Sequence, residues 1–453
     1  MGRLMVSVSG LRGVVGDGLD PPTLVRYVAA YAGRLQRGAS RPVVAVGTDT
    51  RPSRDMVLRI VAGTLQAAGC DVVDLGICPT PSVQLMMDKL GAAGAVVVTA
   101  SHNPEEWNAC KFYGSSGMLL TREEAERMWA VADSGRFDWV DWRRLGACVS
   151  DDGAAAAQIE AALSVADVGA VRKLSPLVVV DCVNGAGSVV TPAFLAELGC
   201  RPVLINADVD AGFPHTPEPV PENLGQLCRA VSERGADIGF AQDPDADRLA
   251  IVSERGEAIG EEYTLALSAL RVLSKRKGTV VANLSTSRMV DDVAERFGCK
   301  VARSAVGEAN VAQLMRRSGA VIGGEGNGGV MDPAVHLVRD SFVGMAHVLS
   351  LLAETGEPVS RLVGEIPSYV MLKKKMEISG DKARAVAAVA DALGGSGLVD
   401  TQDGVKVTMG RSWVHVRPSG TEPVVRVMAE APSREEAESL AARAIAVLEG
   451  SGS

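Results

Sequence analysis

Six residues, Thr99-Ala100-Ser101-His102-Asn103-Pro104, follow the short apolar run Ala95–Val98. A run of that kind reads as a buried strand. Ser101 then stands on a loop at the strand's C-terminal end, where α/β sheets place ligands. A serine there is a nucleophile or a phosphate carrier, and the competing reading is an ordinary polar turn. Asp243-Pro244-Asp245-Ala246-Asp247-Arg248 precedes a second apolar run, Leu249–Val252. Side chains alternate along extended chain, so the three carboxylates are expected on one side. Crowded carboxylates raise one another's pKa without a cation, and hard oxygens suit Mg²⁺ better than Zn²⁺. A Ca²⁺ loop of the EF-hand kind is excluded, because it needs Gly where Arg248 stands.

Two later segments complete the set. Gly323-Gly324-Glu325-Gly326-Asn327-Gly328-Gly329 reads as a loop whose backbone approaches a ligand, with Glu325 and Asn327 able to bond sugar hydroxyls. Arg417-Pro418-Ser419-Gly420-Thr421-Glu422-Pro423 offers a guanidinium, two hydroxyls and glycine amides, a plausible phosphate nest, with Arg426 close in sequence. Near the start, Arg12 lies in a glycine-flanked segment, Gly10 to Gly13, which reads as a loop. Carrier serine, carboxylate triad, hydroxyl reader and phosphate nest fall in different quarters of the chain, so a cleft between domains must assemble them. The combination suits phosphoryl transfer on a phosphosugar, where positioning and charge neutralisation do most of the work.

The elements that must position these loops show an internal repeat. Val43–Val46, Val178–Asp181 and Thr279–Ala282 are strand-like, and each leads into a polar loop and a helical pattern. The three helices end at Gly69-Cys70, Gly199-Cys200 and Gly298-Cys299, and each is followed by another apolar run. Gly closes a helix in the left-handed conformation. Strand–helix–strand with short links predicts parallel pairing. The reading is therefore three similar α/β/α domains with mixed, mostly parallel sheets. From about Tyr369 the pattern changes to a β-like stretch, a helix over Lys382–Leu393, three short strands and a final helix over Ser433–Leu448. Ser433 and Glu436 give that last helix a capping-box start. This predicts a smaller α+β domain. The expected divisions are 1–148, 149–253, 254–366 and 367–453, placed by glycine and polar clusters.

Composition narrows the partners. The chain has 453 residues, 47% hydrophobic and 4% aromatic, with Lys+Arg 46 against Asp+Glu 55. A net charge of -9 and few aromatics argue against a nucleic-acid binder. No apolar stretch is long enough to span a bilayer and no signal peptide is evident, so no membrane partner is expected. Eight scattered Cys without Cys-x-x-Cys point to reduced thiols and a cytoplasmic location.

With these motifs in this order, the whole chain resembles the α-D-phosphohexomutase superfamily of phosphoglucomutase, phosphomannomutase and phosphoglucosamine mutase. The resemblance implies a fourth domain of the TATA-binding-protein-like type and a central cleft. It implies a phosphorylated Ser101, one Mg²⁺ held by Asp243, Asp245, Asp247 and the Ser101 phosphate, and a hexose 1,6-bisphosphate as primer and intermediate. Glu325 and Asn327 would contact the sugar; Arg417, Ser419, Gly420, Thr421 and Arg426 would hold its non-reacting phosphate. Arg12, Lys111 and Arg248 match positions near the moving phosphoryl group, with Lys111 or His102 as acid/base. The implied reaction interconverts hexose 6-phosphate and hexose 1-phosphate, in a monomer or homodimer. Asn108-Ala109-Cys110-Lys111 and Glu325-Gly326-Asn327-Gly328-Gly329 depart from the family's usual forms, as does the start, Ser7–Gly13. The glycine loop nevertheless resembles a bacterial and archaeal branch assigned to amino-sugar synthesis, so glucosamine phosphate is the first expectation. Phosphomannomutase/phosphoglucomutase activity is the alternative. More distant readings are a Mg²⁺-dependent sugar phosphatase with an aspartate nucleophile, or a silent sugar-phosphate binder.

Overall fold

The computed structural model describes residues 4–8, 10–38, 40–378, 381–419 and 424–451. Four sheets follow one another along the chain. Three share one plan. In the first, Val43–Thr48 pairs in parallel with Asp71–Ile77 and with Gly94–Val98, and Gly94–Val98 pairs antiparallel with Trp107–Tyr113. In the second, Leu177–Asp181 pairs in parallel with Arg201–Ile205 and Ile238–Gln242, and the latter pairs antiparallel with Leu249–Ser253. In the third, Val280–Asn283 pairs in parallel with Val301–Ser304 and Ile322–Glu325, and the latter pairs antiparallel with Gly329–Met331.

The repeat holds down to single hydrogen bonds. Gly69, Gly199 and Gly298 have φ of +81°, +101° and +67°. The next residue donates back across the helix end each time: Cys70 N to Leu65 O at 2.9 Å, Cys200 N to Leu195 O at 2.9 Å, Cys299 N to Ala294 O at 2.8 Å. This bond satisfies a terminal carbonyl and turns the chain into the following parallel strand. The strands bury unbroken Val, Ala and Ile runs because helices cover both faces.

The first sheet is larger. Leu4–Ser7 and Gly10–Val15 extend one side, and Cys148–Ser150 adds an edge strand beside Asp71–Ile77. That last strand carries the first sheet past residue 148. The fourth sheet is antiparallel, with Val370–Glu377, Val424–Ala431, Ser412–Pro418, Val405–Met409 and Leu398–Asp400 in that order. Helix Lys382–Leu393 matches the expected bounds. Helix Arg434–Ser451 begins one residue later than expected, because Ser433 accepts from Glu436 N at 3.2 Å as its cap. Both helices pack their Ala, Val and Leu faces on this sheet. The chain therefore has three α/β/α units and a distinct C-terminal α+β unit. Among the described residues, no single helix is long and apolar enough to cross a membrane.

The sequence reading is corrected at three places. Arg12 lies in the strand Gly10–Val15, opposite Ala109, and not in a loop. Gly323 and Gly324 belong to the strand Ile322–Glu325; a Cβ on Gly323 would sit 2.6 Å from Met315 Sδ, so the close approach there is helix on strand. Asp243–Asp247 is a tight turn and not an extended segment, as the site geometry below explains.

Candidate active site

In each of the three units, the chemistry-bearing loop is the hairpin that joins the third parallel strand to the antiparallel one. Ser101 lies between Gly94–Val98 and Trp107–Tyr113. Asp243, Asp245 and Asp247 lie between Ile238–Gln242 and Leu249–Ser253, and Glu325 to Gly328 between Ile322 and Met331. Each hairpin is braced by the loop after the first strand of the shared plan, Val43–Thr48, Leu177–Asp181 or Val280–Asn283. In the first unit, the fully buried Arg51 bonds the backbone oxygens of Ser101, Asn103, Pro104 and Trp107, while its Nε meets Asp49 Oδ2 at 3.0 Å. Thr99 Oγ1 donates to the same Asp49 oxygen at 2.6 Å and accepts from Ser101 N at 2.9 Å. In the second unit, Ala186 N donates to Pro244 O at 2.7 Å. In the third, Asn283 Nδ2 donates to Glu325 Oε1 at 2.8 Å and Gly326 N to Thr286 Oγ1 at 3.0 Å.

The first two loops meet. Ser101, with φ of +50° and buried, donates from Oγ to Asp243 Oδ2 at 2.7 Å. His102 Nδ1 lies 3.4 Å from the same Oγ. Arg12 reaches the loop through Asn103 Oδ1 at 2.6 Å. Arg248 stands 3.9 Å from Glu218, and so does His102. Arg248, burial and Arg12 together hold the imidazole well below its ordinary pKa, so it is neutral near pH 7. Burial and Arg248 lower Arg12 to about 10.

The carboxylates converge because the loop folds on itself. Ala246, at φ +53°, donates its N–H to Asp243 O at 2.9 Å. Asp243 Oδ1 accepts from the amides of Asp247 and Arg248, each at 3.0 Å. The reversal brings one oxygen from each of Asp243, Asp245 and Asp247 within 4.8 Å of the others. Asp245 Oδ2 accepts from Lys111 Nζ at 2.6 Å and Thr80 Oγ1 at 2.5 Å. Asp247 Oδ2 accepts from Lys111 at 3.2 Å and Arg339 at 2.7 Å. Asp245 Oδ1 and Asp247 Oδ1 are buried without a hydrogen-bond partner. Orphaned buried acceptors on a hard-oxygen triad fit a divalent cation such as Mg²⁺. Burial and the neighbouring Asp247 and Asp245 push the Asp243 carboxyl well up. Asp245 is low: burial opposes its charge, and Lys111, Thr80 and Asp243 together outweigh burial. Burial likewise works against the Lys111 ammonium, but Asp245 and Asp247 hold it above its usual range.

The third loop is tied to the second by a residue the sequence reading missed. Arg339, buried, donates to Asp247 Oδ2 and to Glu325 Oε2 at 3.0 Å, and its Nε lies 3.2 Å from Glu308. Glu325 is thus bonded on both oxygens, its Oε1 also accepting from Gly307 N at 3.1 Å. Asn327 Oδ1 accepts from Gly329 N at 3.3 Å. In the fourth unit, Arg417 stands directly opposite Arg426 across two paired strands. Like charges in that position are destabilising unless an anion lies between them. Asp403 Oδ2 lies 3.8 Å from Arg417 Nη1 and accepts from Val306 N at 3.0 Å. Ser419 N donates to Val424 O at 2.9 Å. Gly420 and Thr421 lie outside the described residues.

Profiles of the phosphoglucomutase/phosphomannomutase family match in register with this architecture. α/β/α domains I, II and III match residues 3–138, 157–256 and 261–369, and the C-terminal domain matches 370–447. The chain belongs to this family. It is 39% identical over 453 residues to the phosphoglucomutase/phosphomannomutase of Thermococcus kodakarensis, covering 99% of both chains. It is 39% identical over 436 residues to a protein of Methanopyrus kandleri named a probable phosphoglucosamine mutase, covering 95% of both. Among solved structures, a phosphoglucomutase/phosphomannomutase family protein of Burkholderia thailandensis superposes with a TM-score of 0.86 at 26% identity, covering 99% of this chain and 98% of that one.

Several site residues carried too little signal to be singled out. Asp49 and Arg51 stood in the first repeat's polar loop, and Thr99 in the serine motif. Thr80, Glu308, Arg339 and Asp403 are far from every motif, and their types alone say nothing of the loops they touch.

Proposed function

We propose that this phosphohexomutase interconverts glucosamine 6-phosphate and glucosamine 1-phosphate through a phosphorylated Ser101 and a 1,6-bisphosphate that also serves as primer. The observation that carries the reading is Ser101 Oγ held 2.7 Å from Asp243 with the neutral His102 at 3.4 Å. In the first transfer, the P–O bond to Ser101 Oγ breaks as one forms to the sugar's free hydroxyl oxygen. His102 takes the hydroxyl proton on one ring nitrogen and gives one up from Nδ1 to Ser101 Oγ, 3.4 Å away, so the ring ends neutral. After the bisphosphate turns over, its other phosphoryl group returns to Ser101 by the same exchange in reverse. Lys111, held cationic by Asp245 and Asp247, is better suited to neutralising charge than to moving a proton. Arg12 and Arg248 would flank the moving phosphoryl group and offset its charge. Asp243, Asp245 and Asp247 would hold Mg²⁺ with the Ser101 phosphate; when bound, the ion supplies positive charge at the phosphoryl oxygens.

Glu325 and Asn327 would read sugar hydroxyls. Arg417 and Arg426, with Ser419, Gly420 and Thr421, would grip the phosphate that is not reacting. A central cleft closed by a TATA-binding-protein-like fourth domain, the divisions near 148, 253 and 366, and a cytoplasmic location belong to the same reading. The curated relatives' names divide between amino-sugar and glucose/mannose enzymes at equal identity, so phosphomannomutase/phosphoglucomutase activity is the second reading. Competition of glucosamine 6-phosphate, mannose 1-phosphate and glucose 1-phosphate, compared by kcat/KM, decides between them. Ser101→Ala is expected to abolish turnover of all three and to remove an 80 Da-class phosphorylation (about one phosphoryl group) from the intact mass. Full activity in that variant would overturn the mechanism.

A further inference from the structure

One buried acid of the site has no part in the phosphoryl exchange. Glu308 is 7% exposed and opens the helix Glu308–Ser318, directly after Gly307, whose N–H holds Glu325. Its carboxylate faces Arg339 Nε at 3.2 Å. That contact is too poorly aligned to be a hydrogen bond, and it leaves Arg339 Nε buried without a partner. No hydrogen bond to the Glu308 carboxylate is formed among the described residues. Burying a carboxylate without a donor is costly, so such a group in a cleft is a place for a ligand's donor. Burial and Asp247 push the carboxyl up against the pull of Arg339, while the first turn of a helix favours the charged form.

Charge and place decide what that donor is. The Arg339 guanidinium has Asp247 on Nη2, Glu325 on Nη1 and Glu308 on Nε. Glu308 therefore stands within one guanidinium's width of both the carboxylate turn and the Glu325 loop. Asp247 also has Lys111 at 3.2 Å. Glu308 and Glu325 are left to share a single cation, so a ligand there is favoured if it brings positive charge. We propose, on the glucosamine reading above, that Glu308 is a specificity-determining residue that binds the C2 ammonium of a hexosamine 6-phosphate. In that substrate the C1 hydroxyl faces Ser101, and C2 is the ring carbon next to it. A sugar reaching from Ser101 to Glu325 carries its C2 substituent between them, on the stretch that Glu308 borders. An ammonium supplies three N–H donors and the missing charge, whereas the C2 hydroxyl of glucose supplies one donor and no charge. After the bisphosphate turns over, C6 faces Ser101 and the ammonium lies on the opposite side of the ring. Glu308 thus favours one of the two bound orientations, that of the 6-phosphate.

Equilibrium binding on the full chain tests this, with Mg²⁺ present and Ser101→Ala as the background that prevents turnover. By calorimetry, glucosamine 6-phosphate should bind about tenfold more tightly than glucose 6-phosphate, the worth of one hydrogen bond to a charged group. Adding Glu308→Gln should bring the two affinities within about twofold of each other and leave glucose 6-phosphate binding nearly unchanged. Glucosamine 1-phosphate, whose C6 hydroxyl faces Ser101, should bind equally well with and without that substitution. Glu308→Asp, which keeps the charge, should keep a preference for glucosamine 6-phosphate. A preference that survives Glu308→Gln overturns the ammonium assignment alone. An equal loss for all three sugar phosphates does the same, because it would make Glu308 only a brace for Arg339. No preference in the Ser101→Ala background overturns the glucosamine reading itself, and the assignment with it.

Discussion

Ser101 and His102 are neighbours in sequence, yet the groups that set their electrostatics lie far from them along the chain. Arg248 and Arg12 keep His102 neutral, and its lowered pKa has a definite consequence. Between the lowered value and 6.5 the unfolded chain binds more protons than the native one, so this group makes stability rise with pH in that window. Activity that depends on the neutral ring should be flat from pH 6.5 to 8 and fall only in more acid solution. A pH profile of kcat/KM checks this, and an acid limb centred at or above 6.5 that disappears in His102→Gln would contradict it. Arg339 is the other decisive side chain. It bridges Asp247, Glu325 and Glu308 at once, so Arg339→Met leaves buried carboxylates without their cation. A loss of about 3–5 kcal/mol in denaturant unfolding is expected, with a smaller loss for Arg339→Lys, which keeps the charge but not the fork.

Among elements, the repeated pairing of a brace loop with a hairpin loop explains why three different sets of polar side chains sit at equivalent positions. One strand–helix–strand frame brings the two loops to the same end of the sheet, and each copy fills them with other side chains. The second unit's brace leaves no room for a side chain: a Cβ on Gly185 would lie 2.6 Å from Pro244 O and 2.7 Å from Pro244 Cα. Gly185→Ala must displace backbone at the carboxylate turn. It should cost about 1–3 kcal/mol and weaken Mg²⁺ binding. Titration of the thermal midpoint with Mg²⁺ reads this directly: the parent should gain more than the variant, and equal gains would show that the turn tolerates the shift.

Across the whole molecule, the fourth unit is tied to the third through the residues that hold the Glu325 loop. Val306 N bonds Asp403, and the adjacent Gly307 N bonds Glu325. His415 meets Ser285 at 2.9 Å, and Lys406 Nζ donates to Leu284 O at 2.6 Å. Asp403 therefore links the Arg417 side to the Glu325 side. Charge alone predicts tighter phosphate binding when Asp403 is removed, whereas loss of positioning predicts weaker binding. Positioning should dominate: Asp403→Ala is expected to raise KM about tenfold, roughly one hydrogen bond's worth, with little change in kcat. Asp403→Asn, which still accepts from Val306, should recover most of it. A lower KM in the alanine variant would reverse this assignment.

Local patterns already specified the parallel units. Val and Ala runs, helix-ending Gly-Cys pairs and the cap Ser433 each act over a few residues, so their structures follow from the chain alone, whereas the Glu436 carboxylate turns to Ser412. The same holds for two of the loops, because Ser101 stands just past a strand-like run and the aspartates just before one. Tertiary structure decided the rest. The aspartates converge through a turn at Ala246 and not by strand alternation, since Asp243 bonds two amides of its own loop. Arg12 became a strand residue because Ala109 lies across from it. Arg51, Thr80, Arg339 and Asp403 matter only through contacts with distant segments. Bonds between residues far apart in sequence leave no periodic trace, and the state of His102 and Lys111 depends on charges that only folding brings within reach.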